Sequence, residues 1–385
     1  FYCILQGQGY KECARVLTLS HTHDPNVLNM WNNMNGIAEK VNKRLGFSDE
    51  QLASHGGVGQ TVLTWAVTRS DDETFECICR IPGIDLDKSS NLRVKNTNAL
   101  FLSKKNYHSA ISYATANGQH NKVAILIKHG ADTSDLTVAL QMATETNNYQ
   151  IVEQLLGAGV DVNAKNEDIL GVFPLYQSAS LGSNRMLELL LDRGANIERT
   201  NTVGSTALMI AVQLGHIGAV KLLLRRGANV NHVKKKDVST PLVMATSFGH
   251  PTIAKILIDA GANLDHAEED GWTPLFISVT RGYARCAQLL IDAGASIDKA
   301  STDTHRHGGG FSPLAACCMQ GNVSMVELLL QNGANGNHET MQGCTPTSIA
   351  IWGQANFVHL SRMIWSFHFC KKIGVSLPWR RTAGV

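Results

Sequence analysis

Residues Leu222–Ala228 read Leu-Leu-Leu-Arg-Arg-Gly-Ala, and close copies of this phrase recur along most of the chain. Each copy is a Leu-rich or Ile-rich run that ends in Gly-Ala or Gly-Val. The closing glycines lie at positions 130, 159, 194, 227, 261, 294 and 333, so the steps between them are 29, 35, 33, 34, 33 and 39 residues. A period near 33 residues predicts an array of stacked repeats, which offers a long binding surface instead of one central cleft.

A second phrase marks where a helix begins in each unit. In Thr240-Pro241-Leu242 the Thr suits an N-cap and the Pro suits the first helical position. The short apolar helix that follows ends at Gly249, where Gly supplies a left-handed residue before the second, Leu-rich helix. An extended loop, which we call the hairpin, closes the unit. Units are predicted to begin near Ser109, Leu136, Phe173, Thr206, Thr240, Thr273, Ser312 and, as a terminal unit, Thr345.

This pattern resembles the ankyrin repeat over roughly residues 59–360. The resemblance implies an all-α fold, an ankyrin-repeat solenoid of about eight or nine repeats, each a helix-turn-helix with a hairpin loop. One departure is consistent, because the His of the family's Thr-Pro-Leu-His phrase is absent throughout. That His normally links neighbouring repeats by hydrogen bonds, so we expect more apolar packing between units. The position holds Met209, Val243, Phe276 and Ala315.

The chain is predicted to have three segments. Residues 1–58 form an N-terminal helical cap or linker region, since the end of a solenoid needs a cap. Residues 59–365 form the repeat array, with exposed insertions at 88–107 and 302–310. Residues 366–385 form a C-terminal tail without repeat features.

Composition narrows the class of protein. The chain has 385 residues, 44% of them apolar and 17% charged, which is enough apolar material for a continuous core. The formal net charge of +2 gives no global attraction to nucleic acid, so no nucleic-acid partner is expected. The nine cysteines, an odd number, favour reduced thiols and a cytoplasmic location, with the nucleus as the second choice. We expect a monomer, and no apolar stretch is long enough to predict a membrane span.

The resemblance implies that partner contacts come from the concave face and the hairpin tips. Within the predicted set, Phe248, Trp272, Phe311 and Met319 are expected to form one apolar strip along consecutive repeats. The alternative is that each ring only covers a neighbouring hairpin. The predicted partner-binding residues are Leu214, Lys236, Asp237, Phe248, Glu269, Asp270, Trp272, Arg281, Phe311 and Met319.

Two adjacent hairpins carry runs of opposite charge, Lys234-Lys235-Lys236 and Glu268-Glu269-Asp270. The favoured interpretation is that the two runs attract each other across the surface, which contributes little when both are solvated. The alternative is a bipolar edge that sets the orientation of a partner.

No catalytic residue, cofactor site or metal site is predicted. His305 and His307 lie in a Gly-rich insertion and lack further ligands, so a flexible loop is favoured over a metal site. By resemblance to the family, Asn163 and Asn231 are possible targets of asparaginyl hydroxylation. The alternative is that both side chains only form hydrogen bonds within their own hairpins.

These features predict a protein-protein interaction module, an intracellular scaffold or adaptor that is not an enzyme. The alternative is the substrate-recruiting region of a larger enzyme, such as a ubiquitin ligase, a kinase or a bacterial effector. Its catalytic domain would then lie outside this chain, and a first residue other than Met, Phe1, leaves that choice open.

Overall fold

The computed structural model describes residues 62–80, 86, 109–164, 171–302 and 310–352. Within these ranges all regular structure is helical and no strand occurs, as the predicted all-α fold requires. The helices are α1 Val62–Arg69, α2 Asp72–Cys79, α3 Ala110–Ala116, α4 His120–Lys128, α5 Thr133–Glu145, α6 Tyr149–Gly157, α7 Pro174–Ser180, α8 Asn184–Asp192, α9 Ala207–Gln213, α10 Ile217–Arg225, α11 Pro241–Ser247, α12 Pro251–Asp259, α13 Pro274–Thr280, α14 Ala284–Asp292, α15 Pro313–Gln320, α16 Val323–Gln331 and α17 Pro346–Trp352.

The chain folds as two compact units, residues 1–196 and 197–385. The described helices of the first unit are α1–α8 and those of the second are α9–α17. In each unit consecutive helices pair, so that odd-numbered helices are the first and even-numbered helices the second of a pair. First helices pack on neighbouring first helices throughout each unit, and α12 packs between α10 and α14. This is the layered stacking that the repeat period predicts.

Five of the predicted helix starts are confirmed by side-chain caps. The hydroxyl of Thr240 accepts a hydrogen bond from the backbone N–H of Val243 at 3.3 Å, and Thr273 does the same for Phe276 at 3.1 Å. Each bond satisfies a backbone donor that would otherwise lack a partner at the helix start. The same bond forms at Thr206, Ser312 and Thr345.

The turn between the paired helices depends on a left-handed residue. Gly249 has φ +69°, and a Cβ placed there would lie 2.8 Å from the ring of Tyr283 in the next repeat. Both the backbone conformation and the close approach of the neighbouring ring therefore require glycine. In the turn after α5 the same role falls to Asn147, which has φ 57° and is one of the few residue types that tolerate it.

The core of each unit is built from the recurrent Leu-rich phrase. Leu223 and Leu257 are completely buried, and so are Leu290 and Leu329 at the matching positions of later repeats. The positions that lack the family's His are also buried, with exposures of 0% for Met209, Val243 and Ala315 and 4% for Phe276. The expected apolar packing at these positions is therefore confirmed.

One helix begins earlier than predicted. α5 starts at Thr133 and not near Leu136, because Asp132 forms its N-cap directly after Ala131. No hairpin lies between Ala131 and α5 in this repeat, but α5 has 13 residues against 7 in α11, so the step from Gly130 to Gly159 is shortened only to 29 residues.

A buried cation that the sequence did not single out joins the first two helix pairs. Lys122 on α4 is 4% exposed, and its Nζ donates to the backbone oxygens of Val67 at 2.5 Å and Ser70 at 2.7 Å. These carbonyls lie at the C-terminal end of α1, where a helix favours positive charge. Burial lowers the pKa of Lys122, while nearby Asp72 and Asp71 oppose that shift.

Several predicted features lie outside the described residues. They are the helical cap at 1–58, the insertion at 88–107, residues 303–309 of the second insertion and the tail at 366–385. Among the described residues, no helix has the length and apolar character needed to cross a bilayer.

We predict that Leu223→Ala and Leu257→Ala each lower the free energy of unfolding by about 2–5 kcal/mol, because each leaves a cavity in a closed core. Denaturant titration followed by circular dichroism measures the change. The exposed Lys221→Ala serves as the matched control on the same helix as Leu223. Unchanged midpoints for both Leu variants would contradict the stacked core.

Candidate functional site

Successive hairpins are joined by a ladder of hydrogen bonds. The Oδ1 of Asn231 accepts from the backbone N–H of Asn263 in the next hairpin at 2.8 Å, and its Nδ2 donates to the oxygen of Gly261 at 3.2 Å. Asp265 repeats this role one repeat later, accepting from the N–H of Ser296 at 2.9 Å. These bonds link each hairpin to the next. The other rungs of the ladder run from Asn229 to Glu198, from Asn335 to Asp298 and, in the first unit, from Asn196 to Asn163.

The ladder corrects one interpretation of the sequence. Asn163 and Asn231 do not only form hydrogen bonds within their own hairpins, because both side chains bind the backbone of the following hairpin. A side-chain amide has one acceptor and one donor group, and both are used here.

In the described residues, the two oppositely charged runs form no ion pair with each other, and their weak attraction across the surface stays a prediction. Lys234 forms an ion pair with Asp237 of its own hairpin, with Nζ and Oδ2 2.8 Å apart. Between the two hairpins, the hydroxyl of Ser239 donates to Glu268 Oε1 at 2.6 Å. Among the described residues, Glu268 of the acidic run is therefore bonded to the preceding hairpin through this neutral donor and not through a Lys–Glu pair.

The pKa values of two carboxyl groups in these hairpins are shifted in opposite directions. Burial tends to raise the pKa of Asp237, but the hydrogen bonds from Lys234 and from the backbone of Ser239 outweigh it, so the pKa is lowered. Burial raises the pKa of Glu268, and the charges of Asp237 and Asp270 add to that rise against the bond from Ser239. Of the predicted tip residues, Lys236, Glu269 and Asp270 are exposed, whereas Asp237 is half-buried.

The Lys-bearing hairpin holds a residue in an unfavourable conformation. Val238 has φ 56°, a left-handed value that a β-branched residue rarely adopts. Its counterparts in other hairpins are glycines, at 204, 271 and 343. This hairpin is also one residue longer, since its closing bond joins Lys234 to Ser239, whereas the next joins Glu268 to Trp272. Backbone strain of this kind is often found at functional segments.

The predicted apolar strip is divided into two rows, which is a correction to the sequence analysis. The turn row, at or beside the C-terminal ends of the first helices, consists of Leu214, Phe248, Arg281 and Met319. Leu214 is 48% exposed, Phe248 47% and Met319 38%. The tip row consists of Trp272 and Phe311, which precede α13 and α15.

The tip row is less accessible than the turn row. Trp272 and Phe311 are half-buried, and the Trp272 ring packs against that of Phe276, with centroids 5.6 Å apart. A first helix of seven residues separates the rows by about 10 Å. The four side chains therefore do not form one line, and their role in binding a partner stays a prediction.

Arg281 links two repeats within the turn row. Its Nη1 donates to the backbone oxygen of Ser247, the residue before Phe248, at 2.9 Å. The side chain remains exposed. A similar contact joins the two preceding repeats, where His250 Nε2 lies 3.2 Å from the backbone oxygen of Gln213. The His of this Gly-His turn is thus engaged with the preceding repeat, in keeping with a structural role.

Comparison with protein families agrees with this architecture. The family model "Ankyrin repeats (3 copies)" matches residues 91–166, 140–234 and 230–303, and the model "Ankyrin repeat" matches residues 309–340. The matches to the first of these models already span more than half of the chain.

Individual relatives align over shorter stretches. The chain is 35% identical over 92 residues to the putative ankyrin repeat protein FPV031 of Fowlpox virus (strain NVSL), covering 24% of this chain and 26% of that protein. It is 32% identical over 94 residues to the E3 ubiquitin-protein ligase KEG of Arabidopsis thaliana, covering 23% of this chain and 6% of the ligase. The alignments thus span about a quarter or less of these relatives. The crystal structure of the human ASB11 ankyrin repeat domain superposes with a TM-score of 0.50 at 26% identity, over 58% of this chain and 96% of that domain.

We predict that Val238→Gly raises the free energy of unfolding by about 1 kcal/mol, because relief of a left-handed Val exceeds the entropic cost of Gly. The converse variant, Gly271→Val, destabilises the protein, since its Cβ would overlap the backbone nitrogen of Thr302. Denaturant midpoints of the two variants measure the asymmetry. A loss of stability in Val238→Gly would show that residue 238 is not left-handed in solution.

Proposed function

Because the chain belongs to the ankyrin-repeat family, we propose that it is an intracellular scaffold or adaptor that binds a protein partner without catalysing a reaction. The binding surface is the face formed by the first helices and the hairpin tips. The observation that carries the proposal is the turn row, where Leu214 and Phe248 are exposed at matching positions of consecutive repeats and Met319 is exposed in the turn two repeats further on. Folding requires no such exposure, whereas binding hot spots are commonly large apolar or Arg side chains.

The repeat count is part of the proposal. We assign one repeat to each of the eight helix pairs in the described residues, and α17 to the start of a ninth repeat. Residues 1–58 then cap the first repeat.

Four further properties complete the proposal. The partner is a protein and not a nucleic acid. The chain is a monomer. It is located in the cytoplasm, and the nucleus is the alternative location. Free buried thiols at Cys79, Cys286, Cys317 and Cys318 support a reducing compartment. Burial raises the pKa of Cys79 and of Cys318 to about 12, so these thiols stay protonated and unreactive.

A second candidate function is substrate recruitment within a larger enzyme. The alignment to the E3 ubiquitin-protein ligase KEG favours it, since a stretch that covers 6% of that ligase is similar to this chain. The complete coding sequence discriminates the two: a catalytic domain joined to this chain supports recruitment, and its absence supports an adaptor.

We predict that Phe248→Ala combined with Trp272→Ala weakens partner binding by at least about 2 kcal/mol, the usual scale for hot-spot residues. Affinity purification with the whole chain identifies the partner, and titration calorimetry on folded variants measures the change. Phe248→Ala alone separates the turn row from the tip row, because Trp272 also packs on Phe276.

The control for this experiment is Lys221→Ala combined with Lys255→Ala. Both lysines are exposed on second helices, away from the proposed face, and Lys255 forms only a long ion pair of 3.9 Å with Asp259. The control binds normally in our account. Equal affinity of the aromatic double variant and the parent protein would reject the proposed surface.

We also propose Asn163 and Asn231 as hydroxylation sites. Their carboxamides are held by the next hairpin, and a hydroxyl group on Cβ would leave both of those hydrogen bonds available. After incubation with an asparaginyl hydroxylase, peptides that contain either residue are expected to gain the mass of one oxygen. Asn263, which is not at this ladder position, serves as the internal control. Unchanged masses at Asn163 and Asn231 would reject the proposal.

A further inference from the structure

Exposed apolar side chains concentrate at one edge of the second unit. In its described residues, seven large apolar side chains are exposed, and five of them lie at the turns between paired helices. Single exposed apolar residues are ordinary, but a row on consecutive repeats marks a surface that another molecule covers. The five are Leu214 and Ile217 in one turn, Phe248 in the next, Tyr283 in the third and Met319 in the fourth.

The charge of this edge is simple. Four first helices of the second unit, α9, α11, α13 and α15, and the turns that follow them, residues 207–216, 241–250, 274–283 and 313–322, contain no carboxylate. Their one formally charged side chain is Arg281. A partner that covers this edge therefore meets apolar side chains with a single positive charge among them.

The guanidinium of Arg281 has N–H donors available for an acceptor group on a partner molecule. Its Nη1 donates to Ser247, and in the described part of the chain this is the one hydrogen bond that the guanidinium makes. A guanidinium has five N–H donors, so several remain available. The charge of Arg281 reaches Glu268, whose pKa it lowers slightly against the larger effect of burial, but the two groups form no ion pair within 4 Å.

We propose that the turn row binds a linear peptide segment in which apolar side chains flank one Asp or Glu, with the Arg281 guanidinium donating hydrogen bonds to the carboxylate. The proposal rests on the proposed function and adds the chemistry of the partner. The apolar residues of the segment contact Leu214, Phe248 and Met319. Its carboxylate binds at Arg281, where a pairing with the guanidinium is favoured by charge and by fork geometry.

The dimensions suit a short segment. The turn row crosses four consecutive repeats, and three steps of about 10 Å between packed helices give about 30 Å, which about nine extended residues span. A phosphorylated segment is less suited, because phosphate is usually taken by a cluster of Arg residues and this row has one.

The test uses the whole folded chain and a phage-displayed library of random peptides of about twelve residues, enough to cover that span. Peptides selected on the parent protein are expected to contain aromatic or Leu residues with Asp or Glu between them. The tightest peptide is then synthesised with its acidic residue as Glu and, in a second version, as Lys. Titration calorimetry measures both versions against the parent, Arg281→Glu and Lys221→Glu.

The expected result is a charge swap. Arg281→Glu weakens binding of the Glu peptide about tenfold or more, the size of a charge-assisted hydrogen bond, and restores binding of the Lys peptide. Lys221→Glu reverses an exposed charge on the second helix α10 and leaves both affinities unchanged. If Arg281→Glu fails to fold, Arg281→Gln replaces it, and the preference for Glu over Lys is expected to vanish.

Three outcomes would overturn the inference. They are selection of no peptide, selection of apolar peptides without an acidic residue, and an Arg281→Glu affinity equal to that of the parent. None of these rejects the proposed function, which the Phe248→Ala and Trp272→Ala measurement with the natural protein partner decides separately.

Discussion

The structure depends on the fact that no single helix pair of this chain can be stable alone. The helices are mostly seven to nine residues long, well below the length at which an isolated helix is stable in water. Each pair has one face rich in Leu, Ile, Val or Ala, and only a neighbouring pair can cover that face. Stability therefore comes from contacts between neighbours, and the fully buried Leu223 and Leu257 lie at the centre of those contacts.

The same constraint explains the polar ladder at the hairpins. Stacking fixes the distance between successive hairpins, so a side chain of fixed length at one position can reach the backbone of the next. Asn231 and Asp265 both do so, although one is an amide and the other a carboxylate, because each has an oxygen acceptor at the same place. Because neither side chain lies at a hairpin tip, the sequence of the tips can vary without loss of these bonds. Val238 and the extra residue in its hairpin are such a variation, on a tip that carries exposed lysines.

The sequence predicts the structure within one repeat well and the contacts between neighbouring repeats poorly. Thr240 and Gly249 indicate a helix start and a turn through local rules that need no partner, and both predictions are confirmed. The apolar strip was predicted as one line because residue type alone does not show at which end of a helix a ring lies. The bond from Arg281 to Ser247 and the burial of Lys122 join separate repeats, so no local pattern indicates them.

Recognition in this account requires no moving part and no reactive group. A stacked scaffold presents the turn row in fixed register, and the exposed apolar area provides the favourable free energy when a partner excludes water from it. Hydrogen exchange of the chain with and without its purified protein partner tests this claim most directly. The account predicts slower exchange at the turns 213–217, 247–251 and 280–284, with the outer faces of the second helices unchanged. Protection confined to the second helices would contradict it.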